Sequence, residues 1–314
     1  MSQEPRSGNR LIERWERFWF QQVPPDIYAL LRIVFGALGV ICVLELTPVS
    51  MFWSLDGITP ISGLGLGIRS HLLSLGLGTI AGWTYFSALL VAFVSMTVGY
   101  MSRWSVAICF VGASLLPSWN HLPLSSANQI LASVLFCLVW ADCGSAPSVD
   151  AWLAARRRPF DSSEEGEAQA IWPLRLIRFQ VCIIYLNSGL WKFFNAVWRD
   201  GAAVHYAVSL NIFHRFPFTL PPSLDWATTI ATYVTLFWEI GFPMMIFHPV
   251  TRRFALVSGI LLHGGMWTML ELGPFSWVMI ASYLAFLDPV AVSRLISIRL
   301  SSNRKEPVPV ESEA

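Results

Sequence analysis

Apolar stretches long enough to cross a lipid bilayer recur along this chain, and they constrain its fold more than any other feature. A helix needs about 20 consecutive apolar residues to span the hydrocarbon region. Hydrophobic residues make up 54% of the sequence and charged residues 13%, whereas about a quarter of a soluble domain is charged. These features predict an all-α integral membrane protein in contact with the lipid bilayer.

The hydropathy pattern predicts about eight transmembrane helices, with interfacial helices beside them. The predicted spans are residues 27–46, 80–100, 104–119, 126–142, 173–192, 227–247, 254–271 and 274–291. They define a membrane domain over residues 27–291, preceded by an interfacial segment (1–26). Residues 292–314 are predicted to form a cytoplasmic tail that is disordered at its end. Residues 1–26 lack the apolar centre of a signal peptide, so the first span is expected to direct insertion.

Positive charge is distributed unequally between the predicted loops, and this asymmetry orients the spans. One set of loops holds Arg6, Arg10, Arg14, Arg17, Arg103, Arg156, Arg157, Arg158, Arg252, Arg253, Arg294, Arg299, Arg304 and Lys305. The other set holds Arg69, Arg199, Arg215 and, at its boundary, Lys192. Because cytoplasmic loops carry the excess of positive charge, both termini are predicted to be cytoplasmic and Lys192 to face the exterior half of the cell membrane.

Two flanking segments have the amphipathic pattern of helices that lie in the membrane interface. RLIERWERFWF places Leu11, Trp15, Phe18 and Trp19 on one helical face, and DGAAVHYAVSLNIFHRF has a similar pattern on the exterior side.

Common soluble-enzyme motifs are missing from the sequence. GLGLG (63–67) follows no strand and lacks the GK[ST] ending of a phosphate-binding loop, and neither HExxH nor GxSxG occurs. The five cysteines show no CxxC spacing, so they are predicted to be small buried residues, and no metal site is predicted. With a net charge of +1 and no basic patch interleaved with aromatics, nucleic acid is not an expected partner.

Ionisable residues within or at the ends of the predicted spans are the candidates for function: Glu45, Lys192, Glu239, His263 and Glu271. Such residues are costly in lipid, so they tend to face the interior of a helix bundle. Lys192 is either a cation that anchors its helix at the interface or a general base. Glu239 either orients a substrate or joins helices through a salt bridge to Arg32, Arg175 or Arg178. His263 can act as an acid, a base or a hydrogen-bond donor.

The run YLNSGLWKFFNAVWRDGAAVHYAVS closely resembles the signature of a membrane domain shared with vitamin K-dependent gamma-carboxylases, the horizontally transferred transmembrane domain. Three further stretches agree with that family in order and spacing: SLDGITP, ADCGSAPSVDAWLAARRR and HGGMWTMLELGPFSWVMIASY. The resemblance covers most of residues 24–291. The helices that carry Lys192 and His263 are expected to converge on one cavity that is open toward the exterior face of the membrane.

The resemblance also implies a chemistry. Lys192 matches the lysine regarded as the base that deprotonates vitamin K hydroquinone, and His263 matches a histidine on the seventh helix. Trp198 and Asp200 match the loop that follows the lysine. The implied cofactors are a reduced vitamin K (menaquinol or phylloquinol), O2 and CO2. The implied activity is a lyase-type carboxylation of glutamate in a secreted peptide, coupled to oxidation of the quinol.

The histidine that the carboxylases carry on the fourth helix has two candidate positions here. The family's spacing from Asp150 leads to Ala127 and Asn128, whereas the nearest Asn-His pair is Asn120 and His121. His121 is therefore a third catalytic candidate beside Lys192 and His263. The substrate-binding candidates are Asn128, Trp198, Asp200, Glu239, Trp267 and Glu271.

Two other hypotheses stay open. The chain also resembles bacterial family members of the kind that matures a sporulation-delaying protein. It would then be a non-enzymatic membrane component for maturation, export or immunity of a secreted peptide. A third possibility is a quinone-coupled redox or transport partner without catalysis.

Overall fold

A computed structural model describes residues 7–53, 75–119, 126–145, 147–157, 168–213, 215–216 and 221–302. The longest helices are α2 (Asp26–Glu45), α4 (Gly78–Val98), α5 (Ser102–Trp119), α8 (Trp172–Phe194), α11 (Asp225–Phe247) and α12 (Pro249–Met269). The others are α1 (Ser7–Phe20), α3 (Val49–Phe52), α6 (Ser126–Val139), α7 (Val149–Arg157), α9 (Ala196–Arg199), α10 (Ala203–Ser209), α13 (Phe275–Ser282) and α14 (Pro289–Ser302). Short 3-10 turns cover Asn211–Phe213, Pro222–Leu224 and Tyr283–Phe286. Seven of the eight predicted spans coincide with single helices, and the eighth (274–291) is divided between α13, a 3-10 turn and the start of α14. The described chain is predominantly helical, which confirms the all-α class.

A short strand pair joins two distant parts of the chain. β1 (Gln22–Val23) runs antiparallel to β2 (Gln169–Ala170), and the Tyr28 hydroxyl donates to the Ala170 carbonyl at 2.8 Å. The pair places the first residues of α2 and α8 at the same end of the bundle. We call this the strand end.

Buried Arg32 binds backbone carbonyls at the strand end. Its guanidinium donates to the carbonyls of Met96 (2.7 Å) and Thr97 (3.1 Å) in the last turn of α4, and of Pro147 (2.5 Å). The last carbonyls of a helix have no partner within the helix, and a cation there also complements the helix dipole. Arg32 therefore stabilises the end of α4.

Helices α8 and α11 pack antiparallel at close range. The Phe179 and Phe247 rings lie 6.1 Å apart near the strand end, and the Tyr233 hydroxyl donates to the Arg199 carbonyl (2.8 Å) at the other end. Between these contacts, a Cβ atom added to Gly189 would lie 3.0 Å from the backbone nitrogen of Ile240. The absence of a side chain at Gly189 therefore lets the two helices approach each other.

Among the residues that the structure describes, length and apolarity mark three helices as able to cross a membrane: α2, α4 and the segment Pro222–Phe247 that contains α11. A fourth span is formed if Phe275–Phe286 and Pro289–Ser297, which meet at 97°, are counted together. Among the other described helices, α6 has 14 residues and α8 carries Arg175, Arg178 and Lys192. The eight spans and the cytoplasmic position of the termini are not confirmed and stay predictions.

The structure also bears on the predictions for the N-terminal segment, the cysteines and the C-terminal tail. The N-terminal amphipathic pattern forms helix α1, whose Phe18 ring lies 3.8 Å from the Arg175 guanidinium carbon of α8. All five cysteines are buried and unpaired, as predicted. Helix α14 continues to Ser302, within the predicted tail. The stretches SLDGITP and GLGLG lie outside the described residues.

Candidate functional site

Helices α6, α8, α11, α12 and α13 enclose a cavity of about 540 Å³, which we call the central cavity. Volumes of roughly 300–1,000 Å³ are typical of small-ligand sites. Its walls are mixed in character and consist of Ser126, Gln129, Ile130, Ser133, Gln180, Ile184, Tyr185, Asn187, Ser188, Trp191, Lys192, Trp198, Glu239, His263, Met266, Phe275 and Met279. Large apolar surfaces with a few fixed polar groups suit a ligand that is mostly apolar.

Lys192 lies in the last turn of α8 and forms an ion pair with Glu239 of α11. Its Nζ also donates to the Ser188 hydroxyl at 3.0 Å and lies 4.8 Å from the centre of the Trp198 ring. The Lys192 and Glu239 side chains are 20% and 9% exposed, so the pair is largely shielded from the surroundings. Lys192 is thus held in one position at the cavity wall rather than extended toward an interface.

The predicted salt bridge from Glu239 to Arg32, Arg175 or Arg178 is wrong. Arg32 binds carbonyls at the strand end, and Arg178 donates to the Ala285 carbonyl at 2.7 Å. Arg175 and Arg178 lie near the strand end of α8, whereas Lys192 lies in its last turn. Arg32 lies in α2, also near the strand end. The close approach of α8 and α11 at Gly189 instead brings Lys192 to Glu239.

His263 reaches the same cavity from α12 and is 2% exposed. Its Nε2 atom lies 2.7 Å from the Tyr185 hydroxyl of α8, and that hydroxyl lies 2.5 Å from the Tyr283 hydroxyl. Among the residues of the cavity wall, two buried side-chain atoms have no hydrogen-bond partner within the described part of the chain, His263 Nδ1 and Glu239 Oε2. Buried polar atoms are normally paired, so these two atoms mark where a ligand would bind.

The structure therefore brings four of the predicted residues together, Lys192, Glu239, His263 and Trp198. The other predicted residues lie elsewhere. Asn128 is buried in α6 without lining the cavity, and Asp200 is exposed at the end of α9. His121 is outside the described residues, so its role stays a prediction.

Trp267 and Glu271 belong to a separate contact around Arg215. The Arg215 guanidinium carbon lies 4.6 Å from the Trp267 ring centre, and Arg215 Nη2 lies 3.3 Å from Glu271 Oε2. Glu271 lies beyond the end of α12, which stops at Met269. Glu271 is held instead by Arg215 and by its backbone bond to the Phe213 carbonyl (2.8 Å).

Sequence reasoning missed Tyr185, Ser188 and Tyr283. Residues four and seven positions apart share a helix face, so Ser188 and Tyr185 could have been found by stepping back from Lys192 along α8. Tyr283 had no such signal, because it reaches Tyr185 from another part of the chain.

The cavity combines an ion pair, a buried histidine with a free nitrogen and aromatic walls. This arrangement can bind an amphiphilic molecule and exchange protons with it. No group of three or more His, Cys, Asp or Glu side chains that could hold a metal ion occurs within the described ranges.

The fold and the cavity define a helical membrane protein with a polar site enclosed by its bundle. The HTTM domain model matches residues 20–290, so the chain belongs to the HTTM domain family. No solved structure matches the chain.

Two proteins of Bacillus subtilis (strain 168) are similar over part of their length. Sporulation-delaying protein SdpB is 32% identical over 122 residues, which are 37% of this chain and 38% of SdpB. The protein YitO is 28% identical over 140 residues, 42% of this chain and 45% of YitO. The similarity to these relatives thus covers less than half of their length.

Proposed function

We propose that this protein is a membrane enzyme that oxidises a quinol in the central cavity and uses the reaction to carboxylate glutamate in a secreted peptide. The observation that carries the proposal is the convergence of Lys192, Glu239 and His263 on one cavity, with two buried atoms free to bind a ligand. The resemblance of the Lys192 segment to vitamin K-dependent gamma-carboxylases supplies the reaction class.

The residues present fit a quinol. Trp191, Phe275 and Met279 offer apolar surfaces for a ring, and Glu239 Oε2 can accept a hydrogen bond from a hydroxyl. Menaquinol or phylloquinol would supply two electrons and two protons to the reaction. Lys192 and Glu239 would take up and hold a quinol proton, while the surrounding rings keep water away from the reacting atoms.

The overall reaction balances with the co-substrates that the family resemblance implies. Quinol, O2, CO2 and a peptide glutamate would give the quinone epoxide, water and γ-carboxyglutamate, with release of one proton. The quinol is oxidised, and O2 is reduced to water and to the epoxide oxygen. The glutamate γ-carbon loses a proton and forms a bond to CO2.

The test uses purified protein with reduced phylloquinone or menaquinone, O2, labelled CO2 and a glutamate-containing peptide, and measures epoxide. Wild type is expected to form epoxide, and Lys192→Ala to lose at least 100-fold of the rate, about the lower limit for loss of a general base. Arg199→Ala removes an exposed cation outside the cavity and is the matched control. Absence of epoxide from wild type, or an unchanged rate in Lys192→Ala, would refute the proposal.

A second candidate function is a non-enzymatic component for maturation, export or immunity of a secreted peptide. The similarity to sporulation-delaying protein SdpB favours it. In that case the Lys192–Glu239 pair holds helices together, and Lys192→Arg should preserve function because a guanidinium also pairs with a carboxylate. A base would be lost in Lys192→Arg, because guanidinium stays protonated. Retention of peptide-dependent function in that variant would therefore favour the second candidate.

A further inference from the structure

The hydrogen-bonded row Tyr283–Tyr185–His263 leads from the bundle interior to the central cavity. The two hydroxyl oxygens lie 2.5 Å apart, and the Tyr185 oxygen lies 2.7 Å from His263 Nε2. All three side chains are at least 95% buried. The only free end of the row within the described residues is His263 Nδ1, which belongs to a residue of the cavity wall.

A neutral imidazole carries one N–H, so the three hydrogens of this row can point in three ways that make both hydrogen bonds. In the first, Tyr283 donates to Tyr185 and Tyr185 donates to Nε2, which leaves the N–H on Nδ1. In the second, Nε2–H donates to Tyr185 and Tyr185 donates to Tyr283, which leaves the Tyr283 hydroxyl hydrogen without an acceptor. In the third, Nε2–H and the Tyr283 hydroxyl both donate to Tyr185, which leaves the Tyr185 hydroxyl hydrogen without an acceptor in the row. Tyr283 forms no other side-chain hydrogen bond within the described part of the chain.

Every arrangement leaves one donor of the row unpaired, and an unpaired buried donor costs about 1–3 kcal/mol. In the first, both hydroxyl hydrogens are paired, and the remaining donor is the Nδ1–H of His263, a residue of the cavity wall, where a ligand oxygen can accept its hydrogen bond. In the second, the remaining donor is the hydroxyl of Tyr283, which does not line the cavity. We propose that Tyr283 and Tyr185 hold His263 as its Nδ1–H tautomer, so that His263 presents a hydrogen-bond donor to an oxygen of the bound ligand. His263 then stabilises negative charge on that oxygen and does not act as a base.

Neighbouring side chains hold Tyr185 and Tyr283 in place, so the two tyrosines act as positioning residues for His263. Trp238 and Phe242 pack on the Tyr185 ring with centroid distances of 5.0 and 4.4 Å. A Cβ atom at Gly259 would collide with the Tyr283 hydroxyl and lie 2.9 Å from Trp238 Cζ2. Gly259 is one turn before His263 in α12, so the same helix that carries the histidine makes room for the start of the row.

The proposed tautomer of His263 does not depend on which reaction the protein catalyses. The identity of the ligand oxygen, that of a quinone carbonyl or of a quinol, does rest on the proposed function. The experiment is nitrogen NMR of protein labelled with ¹⁵N-histidine in detergent, since the two nitrogens of each tautomer have distinct shifts. The chain has six histidines, and His263→Gln assigns the signals of interest by their loss. A protonated Nδ1 and an unprotonated Nε2 are expected at neutral pH.

Two tyrosine variants test the cause of the tautomer. Tyr185→Phe removes the donor to Nε2, and the Nε2–H signal is expected to appear. Tyr283→Phe leaves that donor in place and should keep Nδ1–H. Tyr206→Phe, which changes an exposed ring outside the cavity, is the matched control and should leave the His263 signals unchanged.

The outcomes separate this inference from the proposed function. An Nε2–H tautomer or a doubly protonated ring in wild type, or an unchanged tautomer in Tyr185→Phe, would overturn the inference even if epoxide forms. Addition of 2-methyl-1,4-naphthoquinone should shift the Nδ1 signal of wild type. Without that shift, the donor to a quinone oxygen is refuted, whatever the tautomer.

Discussion

At the scale of single residues, the Lys192–Glu239 pair has two unequal members. The Glu239 side chain is 9% exposed and has one unpaired oxygen, whereas Lys192 is 20% exposed and also contacts Ser188 and the Trp198 ring. Removal of one partner from a buried pair leaves an uncompensated charge, which is more costly than loss of the pair itself. The carboxylate, which is the more buried member, therefore depends more strongly on its partner.

The first stability prediction compares single and double substitutions of this pair. Lys192→Met should lower the free energy of unfolding by about 2–3 kcal/mol, somewhat below the range for fully buried pairs because Lys192 is partly exposed. Glu239→Gln should cost less, and the double variant should regain most of the loss. Thermal unfolding in detergent measures all three. Additive losses in the double variant would contradict this coupling.

The sequence was sufficient to identify Lys192, Glu239 and His263 as candidates, because polar groups in apolar helices are few, and Trp198 was identified by the family resemblance of its loop. Their partners could not be identified in the same way. Glu239 could have paired with any of several cations, and only the packing of α8 on α11 selects Lys192. Asn128 and Asp200 were chosen from family spacing, which gives the order of residues but not the direction of their side chains.

At the scale of helices, the contact at Gly189 decides the geometry of the site. Its missing side chain allows α8 to approach the backbone of Ile240 and the Cβ atom of Glu239, which a Cβ at position 189 would meet at 3.0 and 3.2 Å. Glu239, which carries the carboxylate of the ion pair, is thus itself part of the contact between α8 and α11. A wider separation of α8 and α11 would also separate the ion pair.

Gly189→Ala should therefore destabilise the protein by about 1–3 kcal/mol, the usual range for overpacking, although alanine favours helix. Gly265→Ala is the matched control, because a Cβ atom there meets nothing within 4 Å. This control should be neutral or stabilising by up to about 1 kcal/mol. Equal stability of the two variants in thermal unfolding would show that Gly189 does not govern the approach of the helices.

The sequence predicts where the helices lie along the chain more accurately than it predicts which of them cross the membrane. The predicted segments match helices whose ends differ by a few residues, because apolar runs and glycine or proline mark those ends. The bend of 97° after Phe286 could not be predicted in the same way. Hydropathy measures composition along the chain, whereas a bend depends on what the next helix packs against.

At the scale of the whole molecule, the strand end contains α7, the start of α8 and the end of α4. Lys192 lies at the opposite end of α8. The asymmetry of positive charge predicts that the strand end faces the cytoplasm. Since all native cysteines are buried, a cysteine introduced at an exposed position can be labelled without a strong background.

The topology prediction is that Ser223→Cys, before α11, reacts with an impermeant maleimide in intact cells. Ala155→Cys, in α7, should react only after the cells are opened. Both positions are exposed in the fold, so a difference in labelling reports the side of the membrane. The reverse pattern would place the strand end outside and would invert the predicted orientation.

The pairing of β1 with β2 has a consequence for the synthesis of the protein. Gln22 leaves the ribosome well before its partner Ala170, which lies more than 140 residues further along the chain. Until then, α1 and the start of α2 have no strand to bind. The early helices must therefore be retained by the membrane and by one another, and the bundle is closed at its strand end only when α8 arrives.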